Sequence, residues 1–284
     1  MTDSAYLIHL NEDNTINKEQ IDLSSFLQER HLSVAIKEST FIEVFESNGS
    51  STILSCNKKL ILAFTQLEDG NIICCLKDST FRVWSITSKE CIFTIRNVNS
   101  KGIIALPSNC FATCFTHLSI WKAYSKTPFK VLKGHKRIIK AMIYLKEQNE
   151  IISEDDSVII EWSLSSFQCV SVIVTDLNCL SSLYQIDSNK LIVCDSKGQS
   201  IIINCPSWII EERVDNQQFD RVTSYLSIKD YIIIGLEGAL IIYDRKRKEK
   251  QIVDCNSKES IKSMMKIDEK SFLLFYNNNA ILLK

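Results

Sequence analysis

The stretch IDLSSFLQERHLSVAIKESTF (residues 21–41) matches ILAFTQLEDGNIICCLKDSTF (residues 61–81) without a gap, forty residues further along the chain. Ile, Leu, Lys, Ser, Thr and Phe recur in register, and most other pairs of residues are similar in character. A repeat of about forty residues built from short strands is typical of a β-propeller, in which each repeat forms one blade. The repeat therefore predicts the fold class before anything can be said about function.

The same period continues along the whole chain. A strand that ends in an aromatic or polar residue returns at intervals of 39, 37, 41, 42, 39 and 41 residues. The residues that end these strands are Phe45, Trp84, Trp121, Trp162, Asn204, Tyr243 and Lys284. Each repeat contains short runs rich in β-branched residues, separated by turns of Asn, Asp, Ser and Lys. We predict an all-β fold with four antiparallel strands per blade, which we name a to d in chain order.

The repeat covers nearly all of the 284 residues, so we predict a single β-propeller domain over residues 1–284. Six complete blades and one split blade make a seven-bladed propeller. The predicted blades span about 19–57, 58–99, 100–133, 134–175, 176–216, 219–257, and 258–284 together with 4–11.

The two ends of the chain are predicted to share the last blade. That repeat contains SIKSMMKI (260–267), SFLLFY (271–276) and AILLK (280–284), but no fourth strand follows. The unassigned run AYLIHL (5–10) supplies the missing outer strand in this prediction, which protects an edge that would otherwise be open. At the start of the first blade, the match to residues 61–81 predicts a strand over 21–27. A short helix over 18–30 is the alternative, because KEQIDLSSFLQER contains good helix formers.

The fourth repeat carries a distinctive set of residues, namely Gly134, His135, Ser153, Asp156 and Trp162, with Asp156 six positions before Trp162. The second repeat has Asp78 six positions before Trp84, and the third keeps a Trp at 121 but has His117 near the place of the Asp. This pattern resembles the WD-repeat (tryptophan–aspartate) β-propeller family, and the resemblance covers almost the whole chain. Because the other repeats lack both His and Trp, the chain resembles a degenerate member. The resemblance implies a role as an adaptor or in assembly.

These residues are predicted to form a structural network. The carboxylate of Asp156 accepts from the His135 ring, His135 bonds to Ser153, and the Ser153 hydroxyl accepts from the indole N–H of Trp162. Asp78 and Trp84 are the predicted counterparts in the second blade. A His–Asp pair is also compatible with a catalytic dyad, but the spacing is that of the repeat and favours a scaffold role.

Composition excludes several classes of protein. The net charge of −1 argues against DNA binding, which requires a strong positive field. No apolar run reaches the roughly 18–20 residues of a transmembrane segment, and the start MTDSAYLIHLNEDN lacks the features of a secretory signal. Eleven cysteines occur without any C-x-x-C pair, so we interpret them as free core residues. Free cysteines indicate a reducing compartment, and we predict a cytoplasmic protein, with the nucleus as the alternative.

No motif for catalysis, phosphate binding or metal ligation is present, so we predict a protein that is not an enzyme and carries no metal or cofactor. The acidic run Glu154-Asp155-Asp156 is interpreted as a turn. A contact with a metal or a cationic peptide is the alternative for this run.

The leading functional prediction is a noncatalytic scaffold or adaptor that binds a peptide or a protein surface. In a propeller, the d–a and b–c turns share one face, and function sits on variable loops. The predicted binding residues on that face are Lys77, His117, Lys136, Arg137, Glu154, Asp155, Lys197, Phe219, Arg221 and Glu237.

The sequence is compatible with two alternatives to a scaffold function. The basic run 245–250 joins the third and fourth strands of the sixth blade and is suited to phosphate or anionic lipid, through Arg245, Lys246, Arg247 and Lys248. The ordinary interpretation of this run is an exposed, solvated loop. The other alternative is an enzyme with an active site in the central channel, which requires convergent carboxylates or histidines that the repeats do not show.

Overall fold

The computed structural model of the protein describes residues 4–10, 16–22, 34–37, 40–45, 51–56, 59–215, 222–237, 239–254, 261, 263–275 and 281–282. Their strands form seven four-stranded antiparallel sheets, as the sequence predicts. The described residues form no helix, so they contain no helical segment with the length and hydropathy of a membrane span. The chain divides into two compact units, Met1–Ser55 with Gln218–Lys284, and Cys56–Gln217. The prediction of a single domain stays a prediction.

The unit Cys56–Gln217 contains four sheets, numbered 2 to 5, each built from four strands in chain order. Sheet 2 contains β6 (Ile61–Gln66), β7 (Ile72–Leu76), β8 (Thr80–Trp84) and β9 (Cys91–Arg96). Sheet 3 contains β10 (Gly102–Leu106), β11 (Cys110–Cys114), β12 (Leu118–Lys122) and β13 (Lys130–Leu132). Sheet 4 contains β14 (Ala141–Leu145), β15 (Glu150–Glu154), β16 (Ile159–Ser163) and β17 (Gln168–Ile173). Sheet 5 contains β18 (Leu180–Asp187), β19 (Lys190–Asp195), β20 (Gln199–Asn204) and β21 (Ile210–Asp215).

The other unit contains three sheets, numbered 6, 7 and 1. Sheet 6 contains β22 (Val222–Ile228), β23 (Tyr231–Leu236), β24 (Ala239–Asp244) and β25 (Glu249–Asp254). Sheet 7 contains, in spatial order, β26 (Ser263–Lys266), β27 (Ser271–Phe275), β1 (Ser4–Leu10) and β2 (Ile16–Asp22). Sheet 1 contains, in spatial order, β28 (Ile281–Leu282), β3 (Val34–Lys37), β4 (Phe41–Phe45) and β5 (Ser51–Ser55).

The N-terminus closes sheet 7, as predicted, but it supplies two strands and not one. The prediction that residues 5–10 form the outer strand is wrong, because they lie between β27 and β2. Strand β1 pairs with β27, with Ala5 opposite Phe275 and Leu7 opposite Leu273. Strand β2 then pairs with β1 on its other side and forms the outer edge. Only residues 11–15 separate the two strands, and a short connection makes this hairpin inexpensive in loop-closure entropy.

The prediction that residues 21–27 form the first strand of the first blade is wrong. Residues 21 and 22 belong to β2 of sheet 7, and the inner strand of sheet 1 is β28, which pairs Ile281 with Ala35. Of the run 280–284, the described residues 281–282 therefore belong to the first blade and not to the last. The helix alternative is wrong for residues 18–22, which form a strand, and residues 23–30 lie outside the described residues.

In sheets 2 to 6, burial falls from the middle strands towards the outer edge. Every residue of β7 is buried, whereas β17 and β25 are mostly exposed. Strands covered on both faces require continuous apolar runs, which explains IICCL in β7 and YIIIGL in β23. In the unit Cys56–Gln217, consecutive sheets pack face to face; Phe81 of sheet 2, for example, lies 5.8 Å from Trp121 of sheet 3 between ring centroids.

The cysteines follow the predicted pattern only in part. All ten cysteines among the described residues are free, and six are buried; Cys75, for example, lies in the core between sheets 2 and 3, and Cys114 in the core between sheets 3 and 4. Cys91, Cys169 and Cys179 are exposed, so the interpretation of every cysteine as a core residue is wrong for these three. Cys91 and Cys169 lie on outer strands, where a strand has no neighbouring sheet to cover it.

Candidate functional site

One end of sheets 2 to 5 is formed by b–c turns and by the segments that lead from one sheet to the next. Hydrogen bonds join the two kinds of loop, as from Ile139 N to Phe115 O (2.7 Å) and from Leu180 N to Asp156 O (3.1 Å). We call this surface the turn face. It comprises the b–c turns 77–79, 115–117, 155–158 and 196–198, and the connecting segments 97–101, 133–140 and 174–179.

A buried hydrogen-bond network supports the turn face at sheet 4. His135 Nδ1 lies 3.0 Å from Asp155 Oδ2, and His135 Nε2 lies 2.8 Å from Ser153 Oγ. The indole N–H of Trp162 donates to the same Ser153 oxygen at 2.8 Å. The ring of His135 and the carboxylate of Asp155 are 1% and 0% exposed. The network therefore ties the connecting segment to both middle strands of the sheet.

The protons of this network can be assigned from its partners. Burial alone would raise the pKa of Asp155, but the Ser157 N–H, the His135 ring and the Ser157 hydroxyl together lower that pKa to about 2. Burial lowers the pKa of His135, and the Asp155 carboxylate opposes this effect only in part. A neutral His135 therefore donates from Nδ1 to Asp155 and accepts from the Ser153 hydroxyl at Nε2.

The network uses Asp155, and the prediction that Asp156 is its carboxylate is wrong. Four residues, 155–158, separate the paired strands at the b–c turn of sheet 4, whereas three residues, 115–117, separate them at the b–c turn of sheet 3. The extra residue places Asp155 at the first turn position, where its Oδ1 accepts from Ser157 N (2.8 Å) and Val158 N (3.0 Å). Asp156 lies on the surface and forms ion pairs with Lys140 and with Arg137 (3.7 Å).

The hydrogen bonds of this network connect an Asp, a His and a Ser as in a hydrolytic triad, but a substrate cannot reach the serine. Ser153 is 0% exposed, and its oxygen already accepts from Trp162. A nucleophilic serine needs a free approach for substrate and an oxyanion site beside it. The arrangement is suited to holding a turn in place.

In sheet 2, cysteine thiols take the place of the hydrogen-bond network that is present in sheet 4. Cys74 stands where sheet 4 has Ser153, since it lies two positions beyond the partner of the strand-c Trp. The Cys56 thiol hydrogen-bonds to Cys74, which lowers the pKa of Cys56, while the same contact and burial raise the pKa of Cys74. The indole N–H of Trp84 is buried and has no hydrogen-bond partner at normal length. Asp78 is exposed and accepts from Thr80 Oγ1 at 2.6 Å, so its predicted role in a buried network is wrong.

Two further supports were not anticipated from the sequence. Thr113 accepts from the Trp121 indole at 2.9 Å in sheet 3. In sheet 5, the buried Asp195 accepts from Lys197 N (2.8 Å), Gln199 N (2.9 Å) and Asn178 N (3.3 Å). Asp195 fills the role of Asp155 without a histidine. The available signal was an Asp at the end of an apolar strand followed by Ser-Lys-Gly.

Replacing Trp162 and Trp84 in separate variants tests how much the network contributes to the free energy of unfolding. Trp162→Phe is expected to lower the free energy of unfolding by about 1–2 kcal/mol more than Trp84→Phe, because only the first change removes a satisfied buried hydrogen bond. Both substitutions remove the same indole volume, so each serves as the control for the other. Urea unfolding at pH 7 measures the difference, and equal costs would show that the Trp162 N–H contributes nothing.

The predicted binding residues are only partly suited to contact a partner. Lys77, His117, Lys136, Arg137 and Lys197 are exposed and lie on the turn face. Glu237 is exposed in the other unit, and Phe219 and Arg221 lie outside the described residues. The predicted surface role is wrong for Glu154 and Asp155, which are 0% exposed. Glu154 ends a middle strand covered on both faces, and the Asp155 carboxylate is taken up by the network.

Five exposed lysines on the turn face have no carboxylate partner among the described residues. The lysines at 77, 101, 133, 136 and 197 take part in none of the ion pairs that these residues form within this unit. The acids of the same surface are all engaged: Asp78 pairs with Arg82, Asp156 with Lys140, and Asp176 with Arg213. Asp155 is buried in the network. The turn face of sheets 2 to 5 therefore carries an excess of unpaired positive charge.

Glu154 lies beneath this surface as a buried acid. Neither of its carboxyl oxygens has a hydrogen-bond partner. Burial raises the pKa of Glu154 to about 8; Lys140 opposes the shift, and Asp155 and Asp156 add to it. Glu154 is therefore mostly protonated at neutral pH. The described residues contain no group of three or more His, Cys, Asp or Glu side chains placed to hold a metal ion.

Residues 245–248 of the basic run form the c–d turn of sheet 6, and residues 249–250 begin β25. Lys246 Nζ lies 2.7 Å from Asp230 Oδ2, and this hydrogen bond raises the pKa of Lys246. Arg247 Nε lies 3.8 Å from Asp244, whose Oδ1 also accepts from Lys246 N at 2.9 Å. Two of the four predicted anion-binding residues are thus already paired with acids.

Comparison with known proteins bears on the fold alone. No family model matches the sequence, and no curated protein is similar to it. Among solved structures, the WD40 β-propeller domain of Doa1 is similar to this chain with a TM-score of 0.68 and 10% identity, over 87% of this chain and 86% of that one. The resemblance to the WD-repeat family is confirmed at the level of the fold, and the fold of this chain is a β-propeller of the WD40 type.

Proposed function

We propose that this protein is a noncatalytic scaffold or adaptor whose turn face binds an acidic segment of a partner protein. The observation that carries the proposal is the excess of unpaired lysines on that surface, at positions 77, 101, 133, 136 and 197, beside acids that are already paired or buried. Complementary charge across an interface gives a partner both its orientation and a fast encounter.

The support beneath the turn face favours binding over catalysis. The network of Asp155, His135 and Ser153, together with Asp195 in sheet 5, holds the b–c turns rigidly. A rigid surface loses little conformational entropy when a partner docks, so more of the contact energy appears as affinity. The groups in this region that resemble catalytic machinery are buried and engaged with one another.

The alternative of phosphate or anionic-lipid binding through residues 245–250 has less support. Lys246 and Arg247 are paired with Asp230 and Asp244, and an anion would have to compete with these carboxylates. A cytoplasmic location and the absence of DNA binding remain expectations from composition.

A charge-reversal experiment tests the turn face. The triple variant Lys77→Glu, Lys136→Glu, Lys197→Glu is expected to weaken binding of a fluorescein-labelled peptide of alternating Glu and Ser by about 10- to 100-fold, since each lost contact is worth about 0.5–1 kcal/mol. Fluorescence anisotropy at low and moderate salt measures the affinity. Binding by the native protein should weaken as salt rises.

The matched control carries the same change in net charge elsewhere. Lys89→Glu, Lys146→Glu and Lys229→Glu alter exposed lysines that lie outside the turn face. This control should bind the peptide within about twofold of the native protein, allowing for long-range screening. Equal losses in both triple variants, or no binding by the native protein, would overturn the proposal.

A further inference from the structure

A second candidate surface lies at the outer rim, where sheets 3 and 4 meet. Phe129, which precedes β13, is 47% exposed and lies 5.5 Å from Phe167 between ring centroids, edge to face. Lys122 Nζ stands 5.0 Å from the centre of the Phe129 ring, and Lys130 Nζ stands 5.6 Å from the centre of the Phe167 ring. We call these four residues the rim cluster. Phe129 and Phe167 lie in c–d turns, Lys122 ends β12 and Lys130 begins the outer strand β13. None of the four is part of the turn face.

The backbone at Phe167 is unusual for an aromatic residue. Its φ is 57°, in the left-handed region, and its N–H donates to Ser163 O at 2.9 Å. Lys89 occupies the same position of the c–d turn in sheet 2, with φ 61° and a 2.9 Å bond from its N–H to Ser85 O. A side chain in this region is less favourable than glycine, which has no Cβ to clash. The turn thus holds an aromatic ring at the rim where glycine would be favoured.

The charge around these rings is uncompensated. The stretch KAYSKTPFK (122–130) contains three lysines and no acid. Where the structure describes this unit, no ion pair includes Lys122, Lys126 or Lys130. An ammonium over an aromatic ring keeps N–H donors free, so it can bind a carboxylate and the ring at once.

We propose that the rim cluster binds an acidic protein segment that carries an aromatic or large aliphatic side chain. The apolar side chain packs against the exposed edge of Phe129, whose ring is held by its edge-to-face contact with Phe167, and the flanking carboxylates pair with Lys122 and Lys130. Nucleic acid is the less suitable ligand, because bases need an open ring face for stacking, and lysines stand over both Phe129 and Phe167. This surface is additional to the turn face and does not depend on it.

Two labelled peptides separate the rim cluster from general charge attraction. One is Glu-Asp-Glu-Phe-Glu-Asp, and the other has Ser in place of Phe. The native protein is expected to bind the Phe peptide about fivefold or more tightly, since burying one aromatic side chain contributes about 1–2 kcal/mol. The measured quantity is the ratio of the two dissociation constants, from fluorescence anisotropy. A charge effect alone changes both constants together and leaves the ratio unchanged.

The decisive variant is Phe167→Gly. Glycine suits the left-handed backbone, so the fold should be kept, while the ratio of dissociation constants should fall to about one. Lys89→Gly is the matched control, because it makes the same backbone change in sheet 2 and should leave the ratio unaltered. Lys122→Gln with Lys130→Gln should weaken binding of both peptides. The triple variant of the turn face should retain the preference for Phe, which distinguishes failure of one proposal from failure of the other.

Three outcomes would overturn the proposal. The first is equal affinity of the native protein for the Phe and Ser peptides. The second is a preference for Phe that survives Phe167→Gly. The third is tighter binding to vesicles of phosphatidylserine and phosphatidylcholine, or to oligo-dT, that Phe167→Gly abolishes while peptide binding is unchanged.

Discussion

Asp155→Asn is expected to lower the free energy of unfolding by about 2–3 kcal/mol at pH 7, and Asp156→Asn by less than about 1 kcal/mol. The Asp155 carboxylate accepts from the His135 ring and from two backbone N–H groups in a fully buried position, and an amide oxygen replaces a charged acceptor poorly. Asp156 forms surface ion pairs, which water and salt screen. Urea unfolding of the two variants in parallel measures the difference.

The pH dependence of stability gives an independent check on Asp155. Its pKa is lowered in the folded state, from 3.8 to about 2. A lowered carboxyl pKa contributes stability above the unfolded value, and that contribution, about 2 kcal/mol, is lost as the pH falls from 3.8 through 2. Asp155→Asn should remove this part of the acid dependence. If Asp156→Asn costs as much as Asp155→Asn, or if the acid limbs of the two variants coincide, the assignment of Asp155 to the network is wrong.

The forty-residue repeat was sufficient to predict the sheets because its apolar runs mark the strands that are buried. Middle strands covered on both faces are rich in apolar residues, and such runs return from one repeat to the next, as in β7 and β23. The pairing at the chain ends could not be predicted in this way. Residues 21–27 align with an inner strand in sequence, yet residues 16–22 form a hairpin with β1, and β28 takes the inner position of sheet 1. Sequence similarity between repeats does not determine which of two segments fills a shared position.

The site was harder to predict than the fold because single-residue shifts matter there. The spacing rule selects Asp156, but one additional turn residue moves the role to Asp155. Cys56 and Cys74 take part in a network that the family pattern describes with His and Ser, so a motif search has no means of finding them. The excess of unpaired lysines on the turn face depends on which acids already have a cationic partner. Some of these ion pairs join segments that are distant in sequence, such as Asp176 and Arg213, and a repeat pattern does not indicate such pairs.

Glu154→Gln is expected to raise the free energy of unfolding at pH 8 by about 2–3 kcal/mol and to change it little at pH 4.5. Burial raises the pKa of Glu154 from 4.5 to about 8 in the folded state. A group with a raised pKa contributes its full stability below the unfolded value, and that stability is lost as the pH rises from 4.5 through 8. The full loss is about 3–5 kcal/mol, and Gln recovers only part of it because its amide also lacks partners in this position.

The groups that face Glu154 make the result specific. Lys140 lowers the pKa of Glu154, whereas Asp155 and Asp156 raise it, so Lys140→Met should steepen the loss of stability towards alkaline pH. Glu147→Gln is the matched control, since Glu147 is exposed on the same sheet and its substitution should leave the pH profile unchanged. Thermal unfolding followed by circular dichroism between pH 4.5 and 8.5 measures all three variants. A Glu154→Gln profile parallel to that of the native protein would mean that Glu154 titrates normally, and that water reaches its carboxylate in solution.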